Sequence, residues 1–312
     1  MNRRDFLKAS ALTGAAIIMK PGTAADLMVQ SAQNPATGAG FDLVAAMGGE
    51  PEPMFRQAIA EMGGMKKFIK PGWQVVVKPN AAWDRPPERA ANTNPELVGE
   101  IVRHCLEAGA REVIVFDNTC DDWRRAYTAS GIEAATRAAG GRMMPAHQKS
   151  YYRSASLPEG KILKSTLIHQ AILDCDAWIN VPILKHHGGT HLTIAMKNYM
   201  GIVWDRRFFH WNGLQQCIAD SCTYSKRPVL NIVDAYRVLT ANGPQGRSEA
   251  DVATPKALFI SQDIVAVDTA SARFFSQIRN IPIESVSHIA KGQELNLGTM
   301  DIDQLNVKRI RL

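Results

Sequence analysis

The chain is expected to adopt an α/β fold, with a mainly parallel sheet and helices on both of its faces. From Phe41 onward, strand-like and helix-like runs alternate, which is the order that parallel strands joined by crossover helices require. Some strand-like runs, WQVVV and AWINVPIL among them, are continuously apolar, as in strands covered on both faces. With 46% hydrophobic and 21% charged residues, the composition is that of a globular protein.

The first half of the chain supplies three strands and three helices. Asn94 followed by Pro95 opens the second helix, because Asn is a good N-cap and Pro suits the first helical position. Glycines close the first and third helices. Strands are expected at 41–48, 73–80 and 111–119, and helices at 53–64, 95–110 and 132–141.

The second half continues the alternation to the end of the chain. We expect one α/β domain over 41–312 and leave open a small subsidiary lobe near 203–255, where the span 203–212 is irregular. Helices are expected at 165–175, 190–202, 207–224, 265–278 and 283–292, and strands at 177–184, 228–236, 256–263 and 305–312.

Residues 1–25 are expected to be an export signal that takes no part in the fold. The run RRDFLK at 3–8 precedes a short apolar stretch, LTGAAIIM, and then small residues up to Ala25. An apolar stretch of this length is too short to span a bilayer. The pattern resembles a twin-arginine signal, which implies export of the folded chain to the periplasm or another extracytoplasmic space. Residues 26–40 are small and polar and are expected to be a flexible lead-in.

Charge and cysteine content exclude some classes of function. The net charge is +6, but residues 1–25 hold four basic residues against one acidic residue. The rest carries little excess charge and no basic run with interleaved aromatics, so nucleic acid is not expected as a partner. No stable membrane span is expected once the signal is cleaved. The five cysteines include no CxxC pair.

Polar residues follow the strand-like runs, at the points where these strands end. Because ligands bind beyond the carboxyl ends of parallel strands, we expect the polar residues to form one site. Each of them alone would also suit a turn, a helix cap or a solvated end. They are Lys78 and Asn80; Asp117, Asn118, Thr119 and Cys120; Lys185, His186 and His187; Asp234; and Gln262 with Asp263.

The stretch PILKHHGGTHLTIAMKN at 182–198 is the densest of these. Gly188 and Gly189 are expected to form a tight turn, and Thr190 to cap a helix whose N-terminus favours an anion. Lys197 and Asn198 would lie two turns along that helix. His186, His187 and His191 suit acid–base chemistry near neutral pH, whereas a metal site is less expected here because the glycines interrupt the histidine spacing.

A second dense segment, VWDRRFFHWNGLQQCIAD at 203–220, is either a packed connection or a loop over the strand ends. If 208–220 were one helix, His210 and Cys217 would share a face, and the histidine could lower the pKa of the thiol; the alternative, which we prefer, is that Cys217 is a buried, inert cysteine. Cys120, Cys217 and His210 are therefore the weak candidates for a metal or an iron–sulfur cluster.

Taken together, KPN at 78–80, VFDNT at 115–119, the stretch from NVPILKHHGG to VWD and NIVDAYRVLTANGP resemble one family, domain of unknown function 362, in an exported version. The resemblance covers about 40–290. It implies that Lys78, Asn80, Lys185, His186, Thr190, Lys197 and Asn198 are family-like positions. Some relatives carry an iron–sulfur domain, but this chain lacks the C-x2-C-x2-C-x3-C run that such clusters use.

Three functions are consistent with these residues. The first is an exported enzyme that acts on a small carboxylate or phosphate, with Lys78, Lys185 and Lys197 holding the anion, a histidine moving protons, and Asp117 or Asp234 orienting one of these groups. The second is a redox protein that uses a metal or an iron–sulfur cluster. The third is a noncatalytic periplasmic binding protein.

Overall fold

The computed structural model describes residues 40–312. The expected export signal and all but the last residue of the expected lead-in lie outside these residues. The described residues contain thirteen strands: β1 (Leu43–Met47), β2 (Gln74–Pro79), β3 (Glu112–Val115), β4 (Arg142–Met143), β5 (Tyr152–Ser156), β6 (Ser165–His169), β7 (Ala177–Val181), β8 (Ile183–His187), β9 (His191–Thr193), β10 (Leu230–Leu239), β11 (Val252–Ala253), β12 (Ala257–Ser261) and β13 (Val307–Arg311).

The same residues contain ten α-helices, joined by short 3-10 turns. They are α1 (Pro51–Glu61), α2 (Pro95–Glu107), α3 (Trp123–Ala129), α4 (Ile132–Ala138), α5 (Gln170–Asp174), α6 (Ala195–Asn198), α7 (Arg207–Trp211), α8 (Leu214–Ser221), α9 (Ile264–Ile278) and α10 (His288–Glu294).

Eleven strands form one mixed sheet whose main path runs β13-β1-β12-β10-β7-β2-β3-β4, and β5 and β6 form a separate antiparallel pair. Neighbours from β10 to β4 along this path are parallel, whereas β12 is antiparallel to both β10 and β1. The expected α/β fold class is confirmed. The carboxyl end of β12, with Gln262 and Asp263, lies at the opposite edge from the other strand ends, so the prediction that all five meet was wrong there.

Side chains alternate between two cores along the central strand β7. Ile179 and Val181 belong to the apolar core that α1 and α2 cover. Trp178 points to the other face, where its ring packs on Tyr199 with centroids 5.0 Å apart. Pro182, which lacks an N–H, then separates β7 from β8, and both strands run parallel to β10. Helices therefore cover both faces, as the continuously apolar strands predict.

Three predicted helices differ in the structure. Residues 165–175 are strand β6, paired with β5, followed by the short α5. The expected helix over 190–202 is replaced by strand β9, α6 and a 3-10 turn, because the chain first folds back on β8 as a hairpin. The expected helix over 207–224 is two helices, α7 and α8, separated at Gly213, whose φ of +102° is incompatible with a continuous helix.

Residues 203–255, where a subsidiary lobe was left open, contribute β10 to the middle of the main sheet. They also contribute α7 and α8. Residues of α7 line the cavity described below.

Candidate functional site

A cavity of about 470 Å³ lies where β2, β3 and β8 end. Its lining brings together eight residues that the sequence predicts as site residues, contributed by three strand ends and by α6 and its flank. They are Lys78, Asn80, Asp117, Asn118, Lys185, His187, Lys197 and Asn198. Cys120, Arg206, Arg207 and His210 also line the cavity.

Lys78 and Asp117 form a buried ion pair at the floor of the cavity. Their side chains are 1% and 2% exposed, and Lys78 Nζ lies 2.8 Å from Asp117 Oδ1. The other carboxylate oxygen accepts a hydrogen bond from the Ala81 backbone N–H at 2.7 Å. Burial lowers the pKa of Lys78, and the Asp117 charge opposes this shift. The pair is therefore a neutral unit in which the charge of each partner stabilises the other.

Gly201 closes the floor from the opposite side. Its carbonyl accepts a hydrogen bond from the Asn118 N–H at 3.0 Å. A Cβ at this position would overlap both Asp117 Oδ1 and Lys78 Nζ. Only glycine allows the backbone to approach the ion pair this closely.

A chain of buried amides connects the floor to the neighbouring strands. Asn198 Oδ1 accepts from Lys78 Nζ at 2.8 Å and from Asn80 Nδ2 at 3.3 Å. Its Nδ2 donates to Asn180 Oδ1 at 2.9 Å, and Asn180 in turn donates to Asn231 Oδ1 at 3.0 Å. Because both ends of each amide are used, these bonds fix the rotamers of the residues that hold Lys78.

Lys185 is a buried cation with no carboxylate beside it in the part of the chain that the structure describes. It is 1% exposed. Its Nζ donates to the Ala91 carbonyl and, at 3.3 Å, to Asn80 Oδ1, and lies 5.9 Å from the centre of the Trp83 ring. Burial lowers its pKa to about 7.

Lys197 is a second cation without a carboxylate partner, and its side chain is half-buried. Its Nζ contacts Met200 Sδ at 3.1 Å, and a thioether is a weak acceptor. Within residues 40–312 it has no acidic partner at salt-bridge distance. Burial, with the Arg206 and Lys78 charges adding to it, lowers the pKa of Lys197 to about 8.

Two arginines at the start of α7 complete the basic lining: Arg206 precedes the helix and Arg207 is its first residue. The guanidinium of Arg206 donates to the Asn118 and Thr119 carbonyls, each at 2.8 Å, and its Nη1 lies 3.3 Å from Cys120 Sγ. Arg207 is exposed, with its guanidinium 6.0 Å from the centre of the Trp211 ring. Carbonyl oxygens hold Arg206 in place without neutralising it, so its charge is available to a ligand.

Two histidines face the cavity. His187 Nδ1 accepts from the N–H groups of Gly189 and Thr190 at 3.0 and 3.2 Å. In the neutral ring the proton is therefore on Nε2. Burial, and then the charges of Lys197 and Lys185, lower the pKa of His187 to about 2. Burial likewise lowers the pKa of the more exposed His210, and Lys197 adds to the effect.

Other predicted site residues lie outside the cavity. His186 Nδ1 accepts from the Gly243 N–H at 3.0 Å, and Thr119 Oγ1 donates to the Asp121 carbonyl. Asp234 is buried, and its carboxylate accepts from the backbone N–H groups of Asn94 and Tyr236. Gly188 and Gly189 form the turn between β8 and β9, and His191 is exposed in β9.

The expected helix N-terminus at Thr190 was wrong. Thr190 is buried and its hydroxyl donates to the Leu192 carbonyl, inside the β8–β9 hairpin. The helix begins at Ala195, and its first two N–H groups donate to the carboxylate of Asp268, at 2.7 and 3.0 Å. An anion does occupy a helix N-terminus here, but it is an internal side chain that anchors Lys197 to α9.

The weak metal candidates do not form a cluster. Within residues 40–312 there is no group of three or more His, Cys, Asp or Glu side chains that could hold a metal ion. Cys217 is buried in α8, away from the cavity lining, and burial raises the pKa of its thiol to about 11. Cys217 is therefore a buried, unactivated cysteine, because Gly213 places it and His210 in different helices.

Sequence reasoning missed three contributors to the site. Trp83, the Ala91 carbonyl and Gly201 bear no charge themselves and lie in loops or turns. For Gly201 a signal exists, because a glycine follows closely after the polar residues of KNYMG. For Ala91 none exists, because any residue supplies a carbonyl.

The fold and the cavity define an α/β protein with a basic pocket at the carboxyl ends of parallel strands. Residues 75–273 match the family model described as Domain of unknown function (DUF362), and the chain belongs to this family. Residues 1–19 match the signal sequence of the twin-arginine translocation pathway, so the protein is exported by the twin-arginine route. Within residues 40–312, none of the helices combines the length and the apolar character needed to cross a bilayer.

Known proteins that are similar to this chain include a sequence relative and a solved structure. The chain is 25% identical over 221 residues to Thylakoid-associated protein sll1697 of Synechocystis sp.. The aligned region covers 68% of this chain and 66% of that protein. A solved structure, the lactate racemase apoprotein from Thermoanaerobacterium thermosaccharolyticum, superposes with a TM-score of 0.49 at 13% identity. That superposition covers 75% of this chain and 57% of the other.

Proposed function

We propose that this exported protein is an enzyme that acts on a small anionic molecule, a carboxylate or a phosphate compound. In this proposal Lys185, Lys197 and Arg206 bind the anion, while the Lys78–Asp117 pair and Asn198 hold the floor of the site in place. His210 moves protons, and the neutral His187 donates a hydrogen bond from Nε2.

The observation that carries the proposal is the unbalanced positive charge of the cavity. Lys185 is 1% exposed and Lys197 is half-buried, yet neither has an acidic partner at salt-bridge distance among the described residues. Removing a cation from water without a counter-charge costs several kcal/mol. Such an arrangement is unfavourable for the empty protein and favourable for a protein whose ligand brings the missing negative charge.

The protonation states of the site favour catalysis over binding alone. A site built only to hold an anion gains from cations that are charged at all times, such as arginine. Here two lysines have pKa values of about 7 and 8, and the pKa of His210 is lowered from its usual value. Groups that can accept or release a proton near neutral pH are those that acid–base chemistry needs.

Thermal unfolding against a panel of anions tests the binding part. Sulfate, phosphate, oxalate and citrate are added to the full-length protein and to Lys185→Met and Lys197→Met. Lys66→Met is the matched control, because Lys66 is exposed in the 3-10 turn at Met65–Lys67. At least one anion should raise the unfolding temperature of the wild type and the control and have a much smaller effect on the two cavity variants.

Turnover of the stabilising compounds, followed by NMR, tests the catalytic part. Conversion that is lost in Lys197→Met supports an enzyme. Tight binding without conversion would instead indicate a noncatalytic binding protein. Stabilisation of all four proteins to the same extent would contradict the site itself.

The alternative of a metal-dependent or iron–sulfur redox protein gains no support from the geometry of residues 40–312, which offer no cluster of protein ligands. Elemental analysis of protein purified without oxygen gives an independent check: a stoichiometric metal would overturn our preference for the anion chemistry.

A further inference from the structure

The three cavity lysines differ in what holds their amino groups. Lys78 Nζ is engaged by Asp117 and by Asn198 Oδ1. Lys185 Nζ is engaged by the Ala91 carbonyl and by Asn80 Oδ1. For Lys197, the contact that the structure shows is a thioether sulfur, Met200 Sδ at 3.1 Å. Its amine is therefore the one that can move toward a ligand without breaking a hydrogen bond to oxygen.

The backbone beneath Lys197 is nevertheless fixed. Lys197 lies in the short α6, whose first two N–H groups bind the buried carboxylate of Asp268. The next residue, Asn198, is locked into the amide chain behind the cavity. A mobile amino group on a rigid base is what a covalent nucleophile requires, because its reach is defined and its orientation can follow the reaction.

The surroundings of Lys197 supply what an amine needs to attack a carbonyl. A pKa of about 8 leaves a substantial fraction of the amine neutral, and therefore nucleophilic, at neutral to mildly alkaline pH. Arg206 and Lys185 line the same cavity and can bind a carboxylate. His210 lines it too and can transfer a proton.

We propose that Lys197 forms an imine with a 2-oxo acid, a carboxylate whose neighbouring carbon is a carbonyl. The neutral amine attacks that carbon and a C–N bond forms. The carbonyl oxygen then leaves as water, taking both amine protons, and a C=N bond remains. The inference rests on the proposed anion site and assigns it a substrate class and a reactive residue.

Neither of the other lysines fits this role equally well. Lys78 is held in an ion pair with Asp117, and the neighbouring charge favours its protonated, unreactive form. Lys185 has a lowered pKa, but its amine lies against the Ala91 carbonyl, and imine formation would leave that buried oxygen without its donor. Lys185 is therefore better suited to bind the carboxylate of the 2-oxo acid.

Reductive trapping tests the proposal. The full-length protein is incubated with pyruvate or glyoxylate and cyanoborohydride, which reduces an imine to a stable secondary amine, and is then digested with trypsin and analysed by mass spectrometry. An adduct on Lys197 blocks cleavage there and gives the peptide 186–206. An adduct on Lys185 gives 165–197 instead.

We expect saturable labelling of Lys197 that sulfate suppresses, with a rate that rises as the pH increases through about 8. Lys197→Arg keeps the positive charge but cannot form an imine, and should lose the labelling while retaining stabilisation by sulfate. Lys66→Arg should behave as the wild type in both respects.

Labelling confined to Lys185, or to surface lysines to the same extent in wild type and Lys197→Arg, would overturn the inference. The two proposals fail separately: sulfate stabilisation without trapping removes the imine and leaves the anion site, whereas loss of sulfate stabilisation removes both. Mapping on the wild type does not depend on the folding of any variant.

Discussion

At the scale of single residues, the central feature is charge buried without a counter-charge. Lys78 has its carboxylate partner, and the two form a neutral pair at the cavity floor. Lys185 and Lys197 have none among residues 40–312, and burial lowers the pKa of both. The sequence indicates these lysines because they follow apolar runs. Of the three lysines, Lys78 is neutralised because Asp117 faces β2. No local sequence pattern predicts that contact.

Replacing Lys185 by Met should stabilise the empty protein and alter its pH dependence. In the wild type the unfolded chain binds a proton at Lys185 below about pH 10.4, whereas the folded chain does so only below about 7. The free energy of unfolding therefore rises between pH 7 and 10. Below pH 7 the folded chain bears the full cost of burying the charged Lys185 amine. The pKa shift of Lys185 corresponds to a cost of up to ~5 kcal/mol in the folded wild type. The Met variant avoids this cost but loses the hydrogen bonds of the amine, which reduces its gain by ~1–3 kcal/mol.

Urea unfolding of Lys185→Met and wild type at pH 6.5 and pH 10 checks this expectation, with Lys66→Met as the control. The variant should gain stability over the wild type at the lower pH, and the gain should shrink or reverse at the higher pH. A stability difference between variant and wild type that is the same at both pH values would contradict a buried Lys185 with a lowered pKa.

Gly201 should tolerate no side chain. The methyl group of Gly201→Ala overlaps Lys78 Nζ and Asp117 Oδ1, so either the ion pair or the Asn118–Gly201 hydrogen bond must be displaced. Overpacking of this kind costs about 1–3 kcal/mol or more, and the distorted floor should weaken stabilisation by anions. Gly188→Ala is a matched control, since its Cβ would meet only the Gly243 carbonyl, at 3.8 Å. Equal stability of the two variants would show that the cavity floor can rearrange to accommodate a side chain at position 201.

At the scale of elements, most strands and the longer helices follow from sequence patterns, and the departures have specific causes. The amphipathic and apolar runs that form β2, α2 and β7 are long and are bounded by clear caps and turns. The run 190–202 reads equally well as a helix. It divides into β9 and α6 because β8 offers a pairing edge and Asp268 a cap, and both of these are distant in sequence.

Asp268 should be important for α6 although it lies 71 residues from Lys197. Asp268→Ala leaves the N–H groups of Ala195 and Met196 buried without an acceptor. We expect a loss of about 2–4 kcal/mol of stability and weaker binding of anions, because Lys197 is carried by the same helix. Asp303→Ala, which removes an exposed carboxylate, should change stability by less than ~1 kcal/mol. Denaturant unfolding measures both, and a loss no larger than that of the control would show that α6 does not depend on this cap.

At the scale of the whole molecule, the site exists because of strand direction. β2, β3, β7, β8 and β10 are mutually parallel neighbours, so residues 78–80, 117–118 and 185–187 arrive at one edge although more than 100 residues separate the first from the last. Alternation of strands and helices predicts that convergence. It does not predict the reversal of β12, which removes Asp263 from this edge, because antiparallel pairing at the side of a sheet leaves no signature in the strand itself.

The most direct test of the account is proton uptake when the cavity binds an anion. Sulfate and oxalate, which are fully ionised at pH 8, are titrated into the full-length protein by calorimetry in two buffers with different ionisation enthalpies. If Lys185 and Lys197 form the site without counter-charges, binding restores their charge, and the protein should take up ~1–1.5 protons at pH 8 and little at pH 6. Lys185→Met should lower the uptake and Lys66→Met should not. Binding without any proton uptake at pH 8, or uptake unchanged in Lys185→Met, would contradict the account.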